Sequence, residues 1–132
     1  MQIDFTLPTD KPYAEAVQAV IDAAALNGFR VQFVHDVAET LAEKGFDREP
    51  VTIVEMCNAK HAAAVLERDI LIGLMLPCPV MVYVKDGGTF ISTMRPSLMS
   101  AFYPEAGIEA TAVEVEATII AIVEAAARPA VA

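Results

Sequence analysis

The chain has 132 residues, 55% of them hydrophobic, and a formal net charge of -9 at pH 7. That size fits one domain, residues 1–132, with a real core, and the apolar share excludes extended disorder. The acidic balance, with no basic cluster against it, repels phosphate backbones and excludes a nucleic-acid binder.

The first residues, MQIDFTLP, lack a basic n-region and a long apolar core, so no signal peptide is read there. Residues 2–7 alternate as a short strand, and Pro8 and Pro12 bracket a turn. Over 13–26, Val17, Val20, Ile21 and Ala24 fall at helical spacing, and Asn27-Gly28 closes that helix. Residues 29–35 alternate as a strand that places Phe29, Val31, Phe33 and His35 on one face, the core side, with Arg30, Gln32 and Val34 on the other. Asp36 with Glu39 three residues on reads as a helix start, and the helix over 37–44 stops at Gly45.

Residues 51–57 form a central strand with Val51, Ile53, Glu55 and Cys57 on one face and Thr52, Val54 and Met56 on the other. Asn58 suits an N-cap for a helix through Arg68. Over 69–77 the helix and strand signals mix. Residues 79–85 and 89–94 flank Asp86-Gly87-Gly88 as a β-hairpin. A short helix over 97–103 and a long one over 108–127 follow, then a frayed tail over 128–132. The long helix carries a second apolar strip, Val113, Ala117 and Ile120, suited to a further layer or a partner chain. The hairpin and the single-sided alternation give an α+β fold: one mixed or antiparallel sheet of about five strands with helices packed on one face.

The order of these elements and two motifs, Glu55-Met56-Cys57-Asn58 with Ala62 and Leu74-Met75-Leu76-Pro77-Cys78, resemble the family called domain of unknown function 302 over roughly residues 15–100. The resemblance implies a small α+β domain, a homodimer and no established activity. Ala59 stands where the family pattern has proline, which loosens the helix entrance without touching the thiol.

The most apolar stretch is residues 70–85, with Cys78 locked between Pro77 and Pro79. Its run is broken by those prolines and is shorter than the roughly 20 residues a membrane span needs, so no membrane partner is expected. The expected setting is cytoplasmic, where two cysteines are free thiols before they are a disulfide. Cys57 ends a buried strand ahead of a helix N-terminus, which would lower its pKa. The leading expectation is that Cys57 and Cys78 meet at one end of the sheet, with Glu55 beside them, as a ligand-binding site. His61, at C-x3-H spacing from Cys57, is a weak metal-ligand candidate, since zinc asks for more donors than these. Each residue also has a plain role: the cysteines as small core residues, His61 on a solvated helix surface, Glu55 on an open sheet face, the methionines as core filler.

Three functions remain open on these residues. The first is a dimeric binding module that holds a small ligand or a soft metal near Cys57 and Cys78. The second is a thiol-dependent redox or sulfur-handling enzyme. The third is an interaction domain without a site. No phosphate-binding loop, dinucleotide fingerprint, zinc-protease motif or nucleophile elbow is present, and the cofactor stays unassigned.

Overall fold

The structure, a computed structural model, describes residues 2–129; the end of the tail expected over 128–132 lies outside them. The elements run β1 (Asp4–Thr9), α1 (Tyr13–Leu26), β2 (Arg30–Asp36), α2 (Val37–Ala42), β3 (Val51–Cys57), α3 (Ala59–Arg68), β4 (Cys78–Lys85), β5 (Gly88–Met94), α4 (Leu98–Phe102) and α5 (Glu109–Ala127). The ambiguous stretch before β4 is a 3-10 turn, Ile70–Met75, followed by a cis Leu76-Pro77 bond.

The five strands form one sheet in the order β1-β5-β4-β3-β2, every neighbouring pair antiparallel. The α+β architecture read from the sequence is therefore present, with the sheet purely antiparallel. The β4–β5 hairpin turns on Asp86 and Gly87, both at positive φ, as the twist of a two-residue hairpin requires. β1 and β2 occupy opposite edges, so α1 crosses the sheet between them.

One face of the sheet is sealed. Val54, Val80, Val82 and Ile91 are fully buried beneath Val20 and Ala24 of α1 and Ile119, Ile122 and Val123 of α5. Burying side chains of this size is the main stabilising term, roughly 1.5–3 kcal/mol each. Two polar side chains lie deep on this face, and both are bonded: Thr52 meets the Tyr13 hydroxyl, and Thr93 donates to the Pro79 carbonyl at 2.9 Å.

The strict alternation expected over 29–35 does not hold. The register shifts between Val31 and Phe33, a β-bulge, so Val31 lies level with Met56 while Phe33 lies level with Glu55 and His35 with Ile53. An extra residue in one strand reverses the parity beyond it. Phe33 and His35 therefore stand on the uncovered face, not the core side.

Candidate functional site at the cysteine end of the sheet

The antiparallel registers bring Arg30, Cys57, Cys78, Met94 and Asp4 to the same end of the sheet, opposite the hairpin turn. β3 ends at Cys57 and β4 begins at Cys78, whose partner across the ladder is Met56. The two cysteines are thus neighbours on adjacent strands, and both are free, half-buried thiols. They border a single cavity with a free volume of about 20 Å³, walled by apolar side chains that include Phe29, Val65, Leu76 and Val115. That volume admits one water-sized occupant.

α3 forms the roof. Asn58 Oδ1 caps it by accepting from the His61 backbone amide at 3.2 Å, and Asn58 Nδ2 donates to the Gly28 carbonyl at 3.1 Å. The cap fixes where the helix starts relative to Cys57. It also uses one of the amides that would otherwise favour a thiolate. Burial outweighs what remains: the Cys57 thiol is pushed up, not down as the helix N-terminus suggests. Cys78 is pushed up to about 11, chiefly by burial and then by the negative charge that Cys57 would carry beside it. Apolar walls disfavour the charged form of both sulfurs.

Glu55 is not part of this cavity. It pairs with Phe33 on one side and Pro79 on the other, on the uncovered face, because strand parity separates it from Met56 and Cys78. No ion pair among the described residues involves it. His61 does border the cavity. It is no solvated surface residue: its side chain is 16% exposed, and Nε2 sits 3.9 Å from Glu114 Oε1 on α5. Among the described residues no three His, Cys, Asp or Glu side chains converge as a metal site, so His61, Cys57 and Cys78 do not form a zinc-type set.

The structure adds a donor that the sequence reading set aside as filler. Met99, from α4, lines the cavity together with Cys57, Cys78 and His61. It also lines a second hollow of about 10 Å³ on the other side of Cys78, with Met75 and Met94. The signal for it lay in the hairpin. Val80 pairs with Thr93, so Cys78 is level with Arg95, and the segment that breaks at Pro96 must turn beside the cysteine.

A five-stranded antiparallel sheet sealed on one face by helices, with paired thiols at one end, defines the structural class. A family model described as domain of unknown function DUF302 matches residues 5–126, and the chain belongs to that family. The chain is similar to a crystal structure of an uncharacterized conserved DUF302 protein from Bacillus stearothermophilus. The two share 28% sequence identity and a TM-score of 0.90, over 97% of this chain and 100% of that one. No curated protein matches. No helix among the described residues is long and apolar enough to cross a membrane.

Proposed function

We propose that this domain binds a soft, thiophilic metal ion of the Cu(I) class at the Cys57–Cys78 cavity, as a homodimer. The observation that carries the reading is the donor set: two free thiols and the Met99 thioether border one apolar cavity with room for a single small occupant. Thiolate and thioether donors select soft ions, while magnesium and calcium need oxygen and structural zinc needs four ligands. An organic ligand of ordinary size needs roughly 300–1,000 Å³.

Binding is a proton exchange. Each thiol releases its proton as a metal–sulfur bond forms, so two protons leave for one ion. The thiol-enzyme alternative is weaker. With its pKa near 11, Cys78 is a thiolate in only about one molecule in ten thousand at pH 7, and a nucleophile needs the thiolate.

Competition with a Cu(I)-specific chelator under anaerobic conditions tests the reading. Expected is one ion per chain, lost in both Cys57→Ser and Cys78→Ser. Two ions per chain, reduced to one by either substitution, means independent thiols and overturns the shared site.

The uncovered sheet face supports the homodimer. Ile53, Pro79, Met81 and Met94 line an apolar hollow of about 280 Å³ there, and Phe33 is 57% exposed beside it. Sedimentation of wild type and of the Ile53→Glu/Met81→Glu variant checks it: a dimer that the variant dissociates is expected, and a wild-type monomer at micromolar concentration excludes it.

A further inference from the structure

Cys57 and Cys78 stand one residue out of register on adjacent strands: Met56 lies level with Cys78, and Cys57 is the next residue of β3. A strand spacing of about 4.8 Å and a rise of about 3.3 Å per residue put their Cα atoms about 6 Å apart. A disulfide bridges Cα atoms roughly 4.4–6.8 Å apart. Strict parity would turn Cys57 to the uncovered face, but it is the last residue of its strand, and it borders the same cavity as Cys78. The two thiols are close enough that a charge on Cys57 acts on Cys78. Neither is fully buried, so a small oxidant reaches them. We propose that Cys57 and Cys78 close into an intrachain disulfide when a peroxide oxidises them, and that this closure shuts the site to a metal ion, the second part resting on the metal-binding reading above.

Cys57 starts the reaction, because it is the less buried of the two. Its thiolate attacks one oxygen of hydrogen peroxide. The O–O bond breaks, the sulfur becomes a sulfenic acid, and the other oxygen leaves as hydroxide and takes up the proton the thiol gave. The Cys78 sulfur then attacks the Cys57 sulfur. An S–S bond forms as the S–OH bond breaks, and the departing hydroxide takes the Cys78 proton. Two thiols and one peroxide thus give one disulfide and two waters, the sulfurs losing the two electrons that the peroxide gains. A single closure needs no turnover, so the small thiolate fraction sets its pace and not its outcome. Pro77 and Pro79 fix the backbone on both sides of Cys78, so the adjustment falls on Cys57 at the end of β3. The disulfide leaves no thiolate for a soft ion. The coupling is reciprocal: an ion held by the same sulfurs keeps them from the peroxide.

Hydrogen peroxide added to the full chain, followed by alkylation in denaturant and intact-mass spectrometry, tests the closure. Expected is a monomeric product two hydrogens lighter, with neither cysteine alkylated, that a dithiol reductant reverses. Disulfides between chains, or a sulfinic acid on Cys57 with Cys78 still alkylated, overturn the closure and leave the metal reading intact. Uptake of Ag(I) is then read on the same samples. The oxidised chain should take up at least about tenfold less Ag(I) than the reduced one, and chain loaded with Ag(I) should oxidise at least about tenfold more slowly than metal-free chain. Equal uptake by oxidised and reduced chains overturns the switch. A disulfide that forms in a chain taking up no ion when reduced overturns the metal reading alone.

Discussion

The two faces of the sheet are built from nearly the same residue types and do different work. On the covered face Val54, Val80, Val82 and Ile91 are fully out of water beneath α1 and α5. On the other face Ile53, Met81, Tyr83 and Phe90 are only half-buried, and Ser92 is hydrogen-bonded to both the Tyr83 hydroxyl at 2.9 Å and the Thr6 hydroxyl at 2.7 Å. Thr6 in turn donates to Asp4 at 2.6 Å. Apolar content alone therefore does not tell which face carries stability; the helices laid across it do. The sharpest break of this comparison is a matched pair of truncations. Ile122→Ala, under the sealed face, should cost about 3–4 kcal/mol in urea unfolding, as buried isoleucines do. In the dissociated monomer Met81→Ala should cost about 1 kcal/mol or less, because less of its surface leaves water on folding. Equal costs in the undissociated protein would mean that a partner seals the second face as well.

The cysteines repeat the contrast at one end of the sheet. Cys78 has the parity of the sealed face, level with Met56, and its thiol is held near 11; Cys57 is one residue further along β3, and its thiol is raised by burial alone. A thiol whose folded pKa lies above its unfolded value stabilises the fold fully below the unfolded pKa and loses that contribution as pH rises through the folded one. For Cys78 the window runs from the ordinary thiol value near 9 up to about 11. Two pKa units correspond to about 2–3 kcal/mol. Stability should therefore fall over pH 9–11, and Cys78→Ala should flatten that part of the profile. Iodoacetamide should modify Cys57 before Cys78 at every pH below that window. The reverse order would put Cys78 on the accessible side.

Much of this fold was legible because it is written in short-range chemistry. The span of α1, the Asp36 and Asn58 caps, the bounds of β3 and the Asp86-Gly87 turn each rest on a few adjacent residues. The meeting of Cys57 and Cys78 was legible too, since consecutive strands that pair antiparallel must bring the end of one beside the start of the next. The sidedness of Phe33, His35 and Glu55 relative to the cysteines was not. A single bulged residue in β2 moved Phe33 and His35, and Glu55 shares the parity of Cys57 while the cavity lies toward the helices. Local pattern cannot count a residue that the neighbouring strand leaves unpaired. Nor did sequence spacing weigh burial against the helix N-terminus at Cys57, because that balance depends on α4 and α5 packing over the site from far along the chain.

Two smaller effects refine the contrast between sealed and open. Asn58→Ala removes the α3 cap and the bond to Gly28 O, and should cost about 1 kcal/mol. Because α3 roofs the thiol cavity, the same variant should quicken alkylation of Cys57, which separates loss of the roof from a uniform loss of stability. Tyr83→Phe, on the open face, removes the hydroxyl that reaches Ser92. Ser92 is 8% exposed but keeps Thr6 as a partner, so the loss should be at most about 0.5–1 kcal/mol by thermal unfolding. A larger cost would mean that the chain Tyr83–Ser92–Thr6–Asp4 acts as one unit, and that the uncovered face owes its shape to these hydroxyls more than to its apolar side chains.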